Sequence, residues 1–247
     1  MELYEYETMR SVEDTYWWYR GLRTLVCHRV QGLLQDVARP QILDAGCGTG
    51  GMLEELKRVL PAAELTGIDF EPSAVEFTKE RQVGAVLQAS VESLPFPDET
   101  FDTVLSLDVI CSRGIDDLKA TVEFYRVLKP GGSLLLNLQA FDFLKGQHDL
   151  AGHAERRYTK QRVSKILTVA RFKVEMLTYW NMTLFPVLMV WRPLSLLLAD
   201  ERTPRSDLKP LPGFMNRALT WLILREIQAT VNTSLPFGSS VFAIARK

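Results

Sequence analysis

The part of the chain most suggestive of chemistry is a glycine turn at residues 44–51, which reads DAGCGTGG. Glycine adopts positive φ readily and lets a ligand approach the backbone without a Cβ in the way. The turn follows a short apolar run and opens a helical pattern, which is where nucleotide-like ligands are bound at helix N-termini. The pattern therefore predicts a nucleoside-binding turn.

Two ligand classes compete for this turn. Gly46, Gly48 and Gly51 spell the G-x-G-x-x-G fingerprint of dinucleotide binding, and Asp69 follows at the distance expected of a ribose-binding acid. Asp44, however, places a carboxylate where a pyrophosphate would sit, whereas it would attract an ammonium or sulfonium group. A dinucleotide fold also pairs two nucleotide-binding halves, and the fingerprint is not repeated after residue 132. A sulfonium nucleoside is favoured, and a nicotinamide-dependent oxidoreductase remains the alternative.

The elements that must position these residues alternate between strands and helices. This order predicts an α/β fold, a doubly wound, seven-stranded, mostly parallel sheet within one domain spanning residues 1–247. Strands are predicted at residues 41–45, 64–68, 85–88, 101–107, 133–138, 172–179 and 240–245, and helices at 11–37, 50–60, 72–82, 116–128 and 160–170, with Lys129–Gly132 as a closing turn. Further helical patterns near 183–198 and 214–231 lie between the last two strands. We expect an N-terminal helical lid (1–40), a cofactor-binding core (41–180), an inserted helical cap (181–238) and a final strand (239–247).

Five ordered motifs carry a family resemblance. They are DAGCGTG at 44–50, GID at 67–69, LPFPDETFD at 94–102, SLDV at 106–109 and RVLKPGG at 126–132. Over residues 41–138 the chain resembles a class I S-adenosylmethionine-dependent methyltransferase of the small-molecule branch. The resemblance implies S-adenosylmethionine as cofactor and methyl transfer as activity.

The resemblance also implies roles for individual residues. Gly46, Gly48 and Gly50 would cradle the methionine part, Asp69 would accept from both ribose hydroxyls, and Phe70 would border the adenine. The family usually has an aspartate for the adenine amino group where this chain has Ser90, and often a histidine where it has Ser112, so no base is assigned there. The predicted cofactor contacts are Asp44, Gly46, Cys47, Gly48, Gly50, Asp69, Phe70, Ser90, Val91, Leu107 and Asp108.

The loop after the fifth strand is the predicted acceptor side, because ligands of such sheets bind outside the carboxyl ends of the strands. Residues 148–159 read HDLAGHAERRYT and resemble the loop H-D-x-x-x-H-x-R-R-Y-T of one methyltransferase subgroup. Imidazole titrates near neutral pH, so His153 and His148 are the predicted catalytic bases, with a purely structural role as the alternative. No metal site is predicted, because the histidines lack suitable partners. Predicted acceptor contacts are Trp18, Arg20, Arg113 and Tyr158.

Net charge and cysteine content limit the classes of partner and the location expected of the chain. A net charge of -1 offers no general attraction to phosphate backbones, so no nucleic-acid partner is expected. Three scattered cysteines do not form a disulfide framework, and no signal peptide opens the chain, so a cytoplasmic location is expected.

An apolar stretch at residues 179–199 has nearly the length of a membrane span but contains Arg192, Pro186 and Pro193, so spanning is not expected. This cap could roof a pocket, form a dimer surface or rest on a membrane. The expected acceptor is a small, largely apolar molecule, with O-methylation favoured over C- or N-methylation. A non-catalytic or membrane-peripheral protein of the same fold is the other alternative.

Overall fold

A computed structural model describes residues 3–146, 149, 154–197, 211–230 and 233–247. Its centre is a seven-stranded sheet in the order β3-β2-β1-β4-β5-β7-β6. Strands β1 to β5 pair in parallel, and β7 runs antiparallel to both β5 and β6. The predicted mostly parallel, doubly wound sheet is confirmed. The strands are β1 (Gln41–Ala45), β2 (Glu64–Asp69), β3 (Ala85–Gln88), β4 (Phe101–Leu107), β5 (Leu128–Gln139), β6 (Lys173–Trp180) and β7 (Ser240–Arg246).

Helices cover both faces of the sheet, and each face has its own apolar core. Ile42 and Leu105 belong to one core and Leu43 and Val104 to the other, so β1 and β4 are buried on both faces. The strand order reverses between these two strands, which is where ligands of open α/β sheets bind. The helices are α1 (Leu3–Val12), α2 (Trp17–Leu33), α3 (Gly51–Val59), α4 (Pro72–Glu80), α5 (Asp117–Val127), α6 (Lys160–Val169), α7 (Phe185–Leu197) and α8 (Gly213–Thr230). As predicted, α7 and α8 lie between the last two strands.

The single N-terminal helix predicted at residues 11–37 is wrong, because α1 ends at Val12 and α2 begins only at Trp17. Arg23 of α2 reaches back and donates to the carbonyl oxygens of Glu13 (2.6 Å) and Asp14 (3.1 Å). The amide of Trp17, which would donate to the Glu13 carbonyl in a continuous helix, instead donates to Oδ1 of Asn216 at 2.9 Å. A helical period in the sequence does not reveal this break.

The predicted turn at residues 129–132 instead lies inside β5. Phe101 pairs with Leu128, but the next pair is Thr103 with Ser133, so the four residues between form a bulge. Gly131 there has φ of 77°. Lys129 binds the Asp102 carboxylate at 2.8 Å and fixes the bulge to β4.

Candidate active site

The glycine turn connects β1 to α3 at the reversal point of the sheet. Gly46, Gly48 and Gly50 have φ values of 98°, 55° and 84°, which side chains disfavour. A Cβ on Gly46 would overlap Cγ2 of Val109. The turn is therefore a tight backbone cradle that leaves no room for side chains.

Alanine at Gly46 is expected to lower the free energy of unfolding by about 2–3 kcal/mol, because it combines positive φ with overpacking. Gly32→Ala in α2 is the matched control, since a Cβ there meets nothing within 4 Å and φ is not positive. That control should gain about 0.5–1 kcal/mol. Urea denaturation measures both changes, and equal stabilities of the two variants would contradict the cradle.

Asp69 ends β2 and faces this cradle. One carboxylate oxygen accepts from the amide of Gly48 at 2.9 Å. The other accepts from the amide of Glu71 at 3.0 Å and from the Tyr6 hydroxyl at 3.4 Å. The side chain is therefore fixed by the turn and by α1. The family resemblance implies that Asp69, in this position, would bind the ribose.

Beside the turn lies a buried carboxylate without a counter-charge among the described residues. Asp44 is 2% exposed, and its Oδ1 has no hydrogen-bond partner. Burial raises the pKa of Asp44 to about 7, with Asp69 and Glu13 adding repulsion. Glu5 of α1 is also buried, with an unpartnered Oε1. An unpaired buried acid is costly, and a bound cation would remove that cost. The site thus fits a sulfonium and an ammonium group.

Cofactor binding is expected to release protons near pH 7, because a bound positive charge lowers the raised pKa of Asp44. Calorimetric titration with S-adenosylhomocysteine, whose ammonium group supplies the charge, in buffers of different ionisation enthalpy measures this release, which should shrink above about pH 8. Asp44→Asn should reduce it, whereas Asp98→Asn, an exposed carboxylate, should not. Equal proton release by wild type and Asp44→Asn would contradict the assignment.

The raised pKa also has a stability consequence. Asp44 binds a proton more tightly in the folded chain than in the unfolded chain, so the folded state holds more protons between about pH 4 and pH 7. The contribution of Asp44 to the free energy of unfolding of the unliganded chain therefore falls as the pH rises through that window.

The N-terminus of α3 bears on the dinucleotide alternative. The carboxylate of Glu13 accepts from the Thr49 hydroxyl and from Arg81 at 2.6 Å, and Glu13 lies against Gly51, the first residue of the helix. A pyrophosphate would need this same helix end. Because the chain's own carboxylate already lies there, the geometry disfavours a dinucleotide.

A second buried carboxylate follows β4. Asp108 has φ of 58° and accepts from Nδ2 of Asn137 at 2.8 Å, while its Oδ1 is buried without a partner. Asn137 in turn accepts from the Trp180 indole at 2.7 Å, and Trp180 packs on Trp18 with ring centroids 6.0 Å apart. Burial raises the pKa of Asp108 to about 7. Sequence analysis predicted Asp108 as a cofactor contact but did not predict this network. Asp108 follows β4, Asn137 lies in β5 and Trp180 lies in β6, so only the fold brings the three residues together.

The other predicted cofactor contacts lie around the same edge. Phe70 is 74% exposed next to Asp69, so one ring face is available to an adenine. The Ser90 hydroxyl accepts from the amide of Glu92 at 3.2 Å, and Val91 is buried in the core. Leu107 is half-buried at the end of β4, and the Cys47 thiol lies 3.7 Å from the Thr78 hydroxyl.

The predicted acceptor contacts lie in different environments in the structure. Trp18 is joined to the Asp108 network, as described above. Arg20 and Arg113 are exposed, and Arg20 contributes to lowering the pKa of Glu55 on the outer side of α3. Tyr158 is fully buried, and its hydroxyl binds the Ile110 carbonyl at 3.1 Å and Asp117 at 2.9 Å. We therefore withdraw Tyr158 as an acceptor contact, because its hydroxyl already serves the core.

The predicted bases His148 and His153 lie outside the described residues. Among the residues that the structure describes, no group of three or more His, Cys, Asp or Glu side chains could hold a metal ion. None of the described helices is long and apolar enough to cross a bilayer.

Comparison with known proteins defines the class to which this architecture belongs. The seven-stranded sheet with helices on both faces is the Rossmann-like fold of S-adenosylmethionine-dependent methyltransferases. Residues 43–136 match the family model of the methyltransferase domain, so this part of the chain is such a domain. S-adenosylmethionine is the methyl donor that the family and the fold imply.

Curated relatives share this domain. A fatty-acid O-methyltransferase of Mycolicibacterium smegmatis is 37% identical over 103 residues, covering 40% of this chain and 37% of that protein. A malonyl-[acyl-carrier protein] O-methyltransferase of Hahella chejuensis is 29% identical over 171 residues, covering 64% and 60%. A ubiquinone/menaquinone biosynthesis C-methyltransferase of Desulfotalea psychrophila is 38% identical over 101 residues, covering 39% and 40%. The chain thus spans at most about three fifths of these relatives.

Solved structures agree on the fold. A methyltransferase from Thermotoga maritima superposes with a TM-score of 0.60 at 19% identity, covering 99% of this chain and 96% of that one. At this identity the likeness shows architecture alone.

Proposed function

We propose that this chain transfers a methyl group from S-adenosylmethionine to a hydroxyl group of a small, largely apolar acceptor. The observation that carries the proposal is the pair of buried carboxylates, Asp44 and Asp108, each with an unpartnered oxygen at the carboxyl edge of β1 and β4. We assign to Asp44 the balance of a cationic donor and to Asp108 the receipt of a proton from an acceptor.

The residues of the chain divide the work. The backbone of the glycine turn holds the methionine part, Asp69 accepts from the ribose hydroxyls, and Asp44 offsets positive charge. The donor, when bound, supplies a methyl carbon already activated by its sulfonium. Alignment alone lowers such a barrier by about 7–11 kcal/mol, so positioning is the main task of the protein.

A hydroxyl acceptor must lose a proton during transfer. His153 and His148 remain proposed bases from the sequence. Asp108 is a further candidate, because its free Oδ1 is buried and its other oxygen is held by Asn137. With a pKa of about 7, its carboxylate is a proton acceptor matched to neutral pH.

An apolar acceptor is supported by the aromatic side chains beyond the end of β5. Phe141 stacks on Tyr179 with centroids 4.9 Å apart and meets Phe185 of α7 at 5.7 Å. Arg192 of the same helix donates to the Leu144 carbonyl at 3.2 Å and so fastens α7 over the loop after β5. These aromatic side chains and α7 give the loop after β5 an apolar environment, which suits a molecule with a large apolar surface.

Calorimetry with S-adenosylhomocysteine and with NAD tests the ligand class, and only the former should bind. Incubation with S-adenosylmethionine and an extract of small molecules should then yield S-adenosylhomocysteine. Binding of NAD in place of S-adenosylhomocysteine would overturn the proposal in favour of an oxidoreductase. Cofactor binding without turnover on any acceptor would indicate a non-catalytic protein.

A further inference from the structure

Helix α7 exposes a continuous apolar stripe. Val187, Val190, Trp191 and Leu194 are 63%, 70%, 54% and 42% exposed. Their spacing of i, i+3, i+4 and i+7 places them on one helical face, which we call the outer face of α7. This face carries no charged side chain.

The stripe adjoins exposed aromatic side chains. Phe143 and Phe237 are exposed, and both pack against the buried ring of Phe185, at 6.3 Å and 5.2 Å. Several large apolar side chains are thus exposed around the first turn of α7. Apolar patches of this kind mark interaction sites rather than ordinary solvated surface.

The charged side chains that the two cap helices, α7 and α8, expose all carry the same sign. Arg192 of α7 is directed inward to the Leu144 carbonyl and to Asp149, at 3.2 Å and 3.6 Å. Glu226 of α8 is buried and accepts from the amides of Met182 and Thr183 at the start of α7. The exposed charged side chains of these two helices are therefore both positive, and they are Arg217 and Arg225 of α8.

Those two arginines share a face of α8 with exposed aromatic side chains. Phe214, Arg217, Trp221 and Arg225 follow helical spacing, and Arg225 lies 5.8 Å from the centre of the Trp221 ring. Tryptophan and arginine beside aliphatic side chains are the composition of helices that lie in a membrane interface.

We propose that the outer face of α7 and the arginine face of α8 both bind a bilayer containing anionic phospholipid. The aliphatic and indole groups enter the interface, and Arg217 and Arg225 meet the headgroup charge. Resting on the proposed function, this makes the acceptor a lipid-soluble molecule that enters from the bilayer side beneath α7. Protein dimerisation is the competing use of the same surface.

Co-sedimentation with sucrose-loaded vesicles tests the inference. The wild-type chain should bind vesicles of phosphatidylcholine with about 30% phosphatidylglycerol and bind pure phosphatidylcholine vesicles more weakly. Val190→Ser with Trp191→Ser should weaken binding at least about ten-fold on both compositions. Arg217→Gln and Arg225→Gln should each cost about five-fold on the anionic vesicles only.

A matched control separates this surface from exposed valines in general. Val122→Ser with Val169→Ser alters residues 47% and 56% exposed on α5 and α6 and should leave vesicle binding unchanged. Absence of wild-type binding to anionic vesicles overturns the inference, as does unchanged binding by the α7 variant. If light scattering shows that the wild-type chain is a dimer and the α7 variant is a monomer, the inference is also overturned. The partner of the surface would then be a second copy of the chain.

The two proposals fail separately. Calorimetry with S-adenosylhomocysteine should give the same affinity for wild type and the α7 variant. Cofactor binding without vesicle binding sinks the membrane inference alone, and vesicle binding without cofactor binding sinks the proposed function alone.

Discussion

Asp69→Asn should weaken S-adenosylhomocysteine binding by about 10- to 100-fold. The asparagine keeps one acceptor oxygen but replaces the other with a donor, so one hydrogen bond to a charged acceptor, worth about 1.5–3 kcal/mol, is lost. The effect should appear in the dissociation constant measured by calorimetry. At saturating S-adenosylmethionine, kcat should change much less, because Asp69 is assigned to the ribose and not to the transferred methyl group.

Asp69 also accepts from the amides of Gly48 and Glu71, so the variant could loosen the turn itself. Thermal unfolding without ligand separates the two effects, since a binding role predicts a larger loss of affinity than of stability. Asp98→Asn provides the control, because that side chain is 73% exposed on a surface ion pair. Unaltered affinity of the Asp69 variant would remove it from the cofactor site.

Asp108→Asn should lower kcat by about 10²- to 10⁴-fold if its carboxylate takes the acceptor's proton. The pKa of about 7 makes the wild-type rate rise as the pH increases through 7, because only the deprotonated form accepts a proton. The variant should lack this rise. Asparagine can still accept from Nδ2 of Asn137, so the link to Trp180 is preserved.

His153→Gln discriminates between the candidate bases. If the rise in rate survives in Asp108→Asn and disappears in His153→Gln, the histidine is the base and Asp108 is not. S-adenosylhomocysteine affinity, measured in parallel, shows whether either variant has disturbed the donor site instead.

Local patterns predicted the centre of the fold well. The strands at 41–45, 85–88 and 101–107 agree residue for residue with β1, β3 and β4, because each is a short, largely apolar run bounded by turn or breaker residues. The break between α1 and α2 was missed because the side chains that bind the backbone there, Arg23 and Asn216, lie outside the break itself. The bulge at residues 129–132 depends on pairing with β4, which a Pro-Gly-Gly turn signal does not report.

The candidate site divides in the same way. Asp44, the glycines and Asp69 are contiguous with the strands that carry them, so motif and geometry coincide. Glu13, Tyr6 and Asn137 are distant in sequence from the residues they bind, and only the fold brings them to Thr49, Asp69 and Asp108. Nothing in the residues around Tyr6 or Glu13 indicates a ligand site.

The hydrogen bonds of Asp69 have a consequence for α1. A carboxylate offers about four lone pairs, and three are occupied by the amides of Gly48 and Glu71 and by the Tyr6 hydroxyl. The two ribose hydroxyls that the resemblance assigns to Asp69 would require two, so one present donor would have to give way. The phenol has the longest bond, at 3.4 Å, and belongs to α1, whereas Gly48 and Glu71 follow directly after strands. A ribose bound to Asp69 would therefore compete with the Tyr6 hydroxyl, and cofactor binding would alter the contacts of α1.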